Sequence, residues 1–390
     1  MHGLETDERQ LLRKSIRRFL DKELPREVAR DLDRKADYPR EVFRRLCDQL
    51  GVTGLMAPEA YGGSGVDILS AIIVVEELAR RGTSLAGPFI HCAFYGAMNM
   101  LENGSEAQKQ SLLPKLARGE LLFAYGLSEP DVGGDLASAA VTATLSEDKS
   151  CVVINGVKRW CTGARIADYI YTLVRSGPAD ARYKNLSIVL TPTTVKGLSI
   201  VDIDHLGLRY SKTTDVIFDN VEVPAENVVG GMEAWNRGWP MLVGRGLDVE
   251  RLEITATAFG IACAAVEDAW AYAQERRQFG RAICAHQAVR NTLVEARTKL
   301  EACRHMLYSA AHLADEGRDC SVQSSMAKLF VGDTAVDIVL ACQRVMGAYG
   351  CASEYDMERY VRDIVCMPIV GGSSNMQKNN IASRLGLATK

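Results

Sequence analysis

The chain has 390 residues, 47% apolar and 24% charged, with a formal net charge of -3. That length exceeds one simple core, so two or three domains are expected, and the balanced charge leaves no footprint for nucleic acid or an anionic membrane surface. Eleven cysteines without a CxxC, six dispersed histidines and no apolar run near the ~20 residues that span a bilayer point to reduced thiols in the cytoplasm, no metal site and no membrane insertion.

The opening MHGLETDERQ is polar and acidic, unlike a signal or transit peptide. From there to about residue 122 the period is helical. Leu12, Ile16 and Phe19 form one apolar stripe, and Phe43, Leu46 and Leu50 another, with Pro39 at its start and Gly51 just past its end. A third, mostly buried helix is expected over 68–82. Short β-rich runs follow: Val141, Ala143 and Leu145 alternate, Asn155-Gly156 gives a hairpin signal, and DYIYTLVRS, LSIVLTP and TDVIFDNVEVP are separated by turn residues. Beyond about 238 the 3/4 spacing returns at Leu252, Ala256, Phe259, Cys263, Val266 and Trp270, then at Val289, Leu293, Ala296, Leu300, Cys303 and Leu307. With 322–346 and 375–387 this describes a bundle of about four helices. The expected fold class is α+β and mostly α: an N-terminal helical domain (1–122), a small middle β-barrel or sandwich (123–237) and a C-terminal four-helix bundle (238–390).

Three stretches concentrate polar and glycine residues. FAYGLSEPDVGGD (123–135) offers hydroxyls and backbone N–H groups to an anionic or heteroaromatic ligand, or is simply a tight connecting loop. In KRWCTG (158–163), Trp160 and Thr162 are two apart on a strand and share a face; a Trp there could equally be core. ERRQFG (275–280) ends a long helix, where arginine commonly serves the helix dipole or solvent.

Together these stretches resemble the acyl-CoA dehydrogenase family. The family's Ser/Thr-Glu-Pro turn stands here as LSEPDVGGD, its Trp-Ile-Thr as Trp160-Cys161-Thr162, and its Arg-x-x-Phe-Gly as the run from Arg276 to Gly280. LGLRYSKTTDVIFDNVEVPAENVVG (206–230), ERYVRD (358–363) and SSNMQKNNIASRL (373–385) also fit, so the resemblance runs in order along nearly the whole chain. It implies FAD. By position, Tyr125, Leu127 and Ser128 would meet the isoalloxazine, Gly133 the pyrophosphate, and Trp160, Cys161 and Thr162 the flavin near N5. Arg276, Gln278, Phe279 and Gln287 would reach the FAD of a neighbouring subunit in a homotetramer or homodimer, and Ser373 and Asn375 would hold the cofactor. Arg344, Gly347 and Ala348 occupy the family's Gln-x-x-Gly-Gly-x-Gly segment, with Arg344 at the Gln and Ala348 at the second Gly.

The family desaturates acyl thioesters, which needs a carboxylate for the α-proton and polarisation of the carbonyl. Many members carry that carboxylate in a Tyr-Glu-Gly-Thr stretch. Here it reads Val370-Gly371-Gly372-Ser373, so the glutamate is missing. Leu247-Asp248-Val249-Glu250-Arg251 instead resembles the isovaleryl-CoA and long-chain type, whose base lies on the first helix of the C-terminal bundle. Glu250 is therefore the expected base; a helix-start glutamate favoured by the dipole is the plain alternative, and Glu253 is a weaker candidate. Asp248 and Arg251 would lie against the CoA pantetheine, Gly134 replaces a family serine that contacts substrate, and the Gly371 N–H would polarise the thioester carbonyl. The resemblance also implies an electron-transferring flavoprotein as acceptor. Loss of the loop glutamate and tyrosine leaves room, from which a branched, cyclic or bulky acyl group is expected. A flavin oxidase or monooxygenase of the same fold, or a non-catalytic FAD/CoA-binding subunit, are the competing readings.

Overall fold

A computed structural model describes residues 5–387; the first four residues of the opening stretch and the last three of the chain lie outside the described residues. Seven α-helices come first: α1 (Asp7–Glu23), α2 (Arg26–Lys35), α3 (Arg40–Leu50), α4 (Ile68–Arg81), α5 (Thr83–Ile90), α6 (Asn99–Asn103) and α7 (Glu106–Ala117). Their ends follow local chemistry. Asp67 caps α4 by accepting the Ser70 N–H at 2.8 Å, and Ser105 and Gln108 form a capping box on α7. Ile16 and Phe19 are buried as the stripe predicts, and α4 is buried along nearly its whole length. Between α5 and α6 the helix does not break; it widens into a π-helical stretch, His91–Met98.

The middle region is a seven-stranded sheet of β1 (Phe123–Gly126), β2 (Thr142–Leu145), β3 (Cys151–Lys158), β4 (Tyr169–Arg175), β5 (Leu186–Pro192), β6 (Leu198–Asp202) and β7 (Thr214–Pro224). Its order is β1-β4-β2-β3-β7-β6, with β5 also paired to β4. The β5-β4-β1 group and the β2-β3-β7-β6 group meet through a single register pair, Thr142 with Arg175. The structure corrects the reading of Asn155-Gly156 as a hairpin turn. Strand β3 runs straight through the pair, and its register against β7 shifts there as a β-bulge. Gly156 has φ +132°, and a Cβ on it would come 2.9 Å from Val141. Asn155 uses its side chain to accept the Asn220 N–H at 2.8 Å across the sheet instead of turning the chain.

The remainder is helical again: α8 (Gly238–Val243), α9 (Arg245–Glu275), α10 (Gln287–Asp315), α11 (Ser321–Met346), α12 (Met357–Ile364) and α13 (Ser374–Arg384). A two-residue ribbon, β8 (Arg277–Gln278) with β9 (Arg281–Ala282), joins α9 to α10. The first and last helical regions share one core. Glu76 and Glu77 on α4 are both buried; Arg17 of α1 binds Glu77 at 2.6 Å, and the Tyr308 hydroxyl of α10 donates to Glu76 at 2.6 Å, with Arg13 bridging all three. Each buried charge is thus paired and hydrogen-bonded, as burial demands.

Candidate active site

The LSEPDVGGD loop is held from beneath by an ion pair. Lys158, fully buried on β3, binds the Glu129 carboxylate at 2.7 Å and the Leu127 carbonyl at 3.0 Å. Glu129 also accepts the N–H groups of Ala140 and Val141, at 2.7 and 3.0 Å. Both residues are thus spent on shape, and Leu127 and Ser128 are set between them. The Arg159 N–H donates to the Ser128 carbonyl at 2.9 Å, which brings the KRWCTG turn against this loop.

Strand β3 ends at Lys158, so Trp160 and Thr162 lie in a turn and not two apart on a strand as expected; Trp160 has φ +63° and is 54% exposed, with the Arg159 guanidinium stacked at 4.9 Å from the ring centroid. Positive φ is costly for a bulky residue, and such strain gathers at functional sites. Cys161 is buried, and burial pushes its thiol up to about 12, so it serves as core and not as a nucleophile. The Thr162 hydroxyl meets that of Thr213 at 3.2 Å. Beneath Gly163 lies the ring of His91, so close that a Cβ would overlap it. His91 is bonded to the Phe123 carbonyl at 2.7 Å and its pKa is pushed down to about 4 by burial, so it stays neutral. These residues suit a flavin: an exposed aromatic ring, threonine and serine hydroxyls, and at Gly133 a backbone with nothing within 4 Å of a Cβ position. Gly134 abuts α13, its Cβ position 3.2 Å from the Met376 sulfur, so the side chain of the family's serine has a methionine in its way.

The start of α9 supplies the carboxylates. Glu250 and Glu253 are one turn apart on one face and both buried. Removal from water pushes Glu250 up to about 7, against the pull of the neighbouring Arg251. Glu253 is pushed up further by its own burial and by the Glu250 charge. Arg251 pairs with Asp248 on the same helix. Gly371 comes to this helix by way of Ile254: it has φ +61°, and a Cβ there would overlap Ile254 Cδ1. The two halves of the expected swap are therefore neighbours. On the far side, Tyr125 stacks on Tyr95 with centroids 3.9 Å apart, and its hydroxyl accepts the Asn99 amide at 2.6 Å. Burial raises both phenols well above their ordinary range, and the charges of Glu250 and Glu253 add to it. Sequence reasoning missed Tyr95 and Asn99. The Asn99 amide donates to the carbonyls of Phe94 and Tyr95 at 3.3 and 3.1 Å, at the end of the π-helical stretch, and no local sequence signal announces that geometry.

The remaining candidates divide between loop and surface. Ser373 caps α13 by accepting the Met376 N–H at 3.4 Å, and Asn375 is exposed on its first turn. Arg276, Gln278, Gln287, Arg344, Gly347 and Ala348 are exposed, and Phe279, at φ +52°, is 93% exposed. The Arg276 guanidinium lies 5.5 Å from the Tyr349 ring centroid, so the β8–β9 ribbon and the 344–350 turn form one group. Among the described residues no hydrogen bond or ring contact joins that group to Trp160 or Glu250.

Comparison with known proteins agrees across the chain. The acyl-CoA dehydrogenase N-terminal, middle and C-terminal domain families match residues 6–120, 124–221 and 236–386. An acyl-CoA dehydrogenase of Bacillus subtilis (strain 168) is 34% identical over 381 residues, covering 97% of this chain and 98% of the relative. The CarC subunit of a caffeyl-CoA reductase–Etf complex from Acetobacterium woodii is 30% identical over 382 residues, covering 97% and 98%. The solved structure of butyryl-CoA dehydrogenase from Megasphaera elsdenii superposes with a TM-score of 0.92 at 30% identity, covering 97% of this chain and 98% of that one. The chain belongs to the acyl-CoA dehydrogenase family and is an FAD-dependent oxidoreductase.

Proposed function

We propose that this enzyme desaturates an acyl-CoA thioester between Cα and Cβ, with Glu250 as the base. The observation that carries this reading is the pairing of a buried carboxyl, raised to about 7, with a side-chain-free Gly371 beside the same helix face. A base of that pKa is poised for proton abstraction near neutral pH. Glu250 takes the α-proton and becomes a neutral acid, the Cα–Cβ double bond forms, and the Gly371 N–H stabilises the enolate-like carbonyl. When bound, FAD would supply the two-electron acceptor for the β-hydride. Trp160 and Thr162 would orient its ring with Tyr125, Leu127 and Ser128, while Gly133, Ser373 and Asn375 would hold the rest of the cofactor. Asp248 and Arg251, already paired, line the pantetheine path with Gly134.

The acceptor downstream is an electron-transferring flavoprotein, a reading supported by the Etf-complex relative. The exposed Arg276, Gln278, Phe279 and Gln287, with Arg344, Gly347 and Ala348, contact the FAD of a second copy in a homodimer or homotetramer. Ile254 occupies part of the room that the missing loop glutamate leaves, so the proposed preference for a branched, cyclic or bulky acyl group rests on Val370 standing in place of the family's tyrosine. Glu250→Gln is expected to retain flavin and lose its anaerobic bleaching by acyl-CoA. Full bleaching in that variant overturns the assignment, and rapid reoxidation by air with stoichiometric peroxide identifies an oxidase instead. A panel of chain lengths and branchings decides the substrate: preference for butyryl-CoA over every branched or cyclic thioester rejects the size argument.

A further inference from the structure

Glu253 has no part in the proton transfer, yet it occupies the same helix face as the base. It is 1% exposed, and its Oε1 has no hydrogen-bond partner. The Tyr95 hydroxyl stands close enough to favour the ionised carboxyl, and Tyr210 near enough to feel its charge. Among the described residues no cation answers it: Arg251 points its charge at Asp248, and Thr257 bonds the Glu253 backbone carbonyl at 3.0 Å, not the carboxyl. A valine at this position would pack without leaving a buried acceptor unmet, which is a costly state. Of the buried polar side chains around it, Thr255 and Thr257 bond backbone carbonyls of their own helix and Arg251 pairs with Asp248, which leaves the Glu253 Oε1 unserved.

We propose that Glu253 is a substrate-binding residue that selects an acyl chain carrying a hydrogen-bond donor, an ammonium or a hydroxyl, beyond the reacting carbons. This rests on the assignment of Glu250 as base, because it places the acyl chain along the face the two glutamates share. Glu250 reaches Cα, and one turn further along α9 the unpartnered Oε1 meets the chain: an ammonium seated there favours release of the proton that burial holds on Glu253 and pairs with the carboxylate, while a hydroxyl hydrogen-bonds the carboxyl in either protonation state. The Tyr95 hydroxyl stands close to the carboxyl, and its ring is fixed by the stack on Tyr125. A site built to hydrogen-bond a substrate group discriminates strongly against the analogue that lacks it.

The test is equilibrium binding to FAD-loaded Glu250→Gln protein, read from the perturbed flavin spectrum, so that no turnover is needed. Matched probes are butyryl-CoA against 4-aminobutyryl-CoA, and pentanoyl-CoA against its 5-amino and 5-hydroxy derivatives. At least one donor-bearing chain is expected to bind about tenfold or more tighter than its plain counterpart. Adding Glu253→Val should erase that ratio. Glu253→Gln, which preserves shape and folding, should keep a hydroxyl preference and lose an ammonium preference. Equal binding of plain and donor-bearing chains, or a ratio unchanged in both Glu253 variants, overturns the proposal. So does a Glu253→Gln effect confined to a common pH shift for all thioesters, which would make the residue a tuner of Glu250. Failure of the base assignment has a different signature, namely bleaching retained in Glu250→Gln alone.

Discussion

A carboxyl that titrates at about 7 in the folded chain, against an ordinary 4.5, makes activity and stability run in opposite directions with pH. On the proposed assignment the reductive half-reaction needs the Glu250 carboxylate, so anaerobic flavin reduction by acyl-CoA is expected to rise with pH through about 7, measured by stopped-flow kinetics. Stability has the other sign. The folded state holds this proton more tightly than the unfolded chain, so its contribution is full below about 4.5 and is lost as pH climbs through about 7. Glu250→Gln removes the loss and should be more stable than the parent at pH 8, by up to about 3 kcal/mol, while the two converge near pH 5. Urea unfolding at both pH values checks it. Glu250 could be proposed from the sequence because Leu-Asp-x-Glu-Arg is a local pattern, and the structure adds its burial and raised pKa. Tyr95 and Asn99 are not, because their roles come from contacts with Tyr125, some thirty residues away in the chain.

At the scale of elements, Gly371 fixes how its loop docks on α9. A side chain there suffers twice, from φ +61° and from overlap with Ile254. Gly371→Ala is expected to cost about 2 kcal/mol or more in thermal or urea unfolding, and Ile254→Ala in the same chain should recover part of that loss. The helices were legible from their period and caps, as α3 shows between Pro39 and Gly51. The Asn155-Gly156 pair misled because the same dipeptide serves a tight turn and a bulge, and only the cross-strand partners Val141 and Asn220 decide between them. The π-helical stretch had no signature at all: its widened turn is held by the side chain of Asn99.

The order of helical, β and helical regions was readable across the whole molecule because hydrophobic period changes twice along the chain. The sheet order was not, since the β1–β4 pairing joins residues more than forty positions apart. Phe279 makes a prediction at this scale. An aromatic ring that is 93% exposed in one chain, held at φ +52° on the β8–β9 ribbon, is expected to be covered in the assembly. Phe279→Ala should fold with an unchanged circular dichroism spectrum but sediment as a smaller species and release FAD more readily. Parent-like sedimentation and flavin retention would remove the residue from the interface.

The contact between Gly371 and Ile254 has a consequence for how this chain can change over generations. Moving the carboxylate from α9 to the loop takes a glutamate at 371, loss of Glu250, and a shifted or smaller side chain at 254. Taken singly, the first step strains the loop, the second, on the proposed assignment, leaves no base, and the third loosens the packing between loop and helix. On that assignment the Gly371–Ile254 contact ties the two positions together and favours keeping the base on the helix.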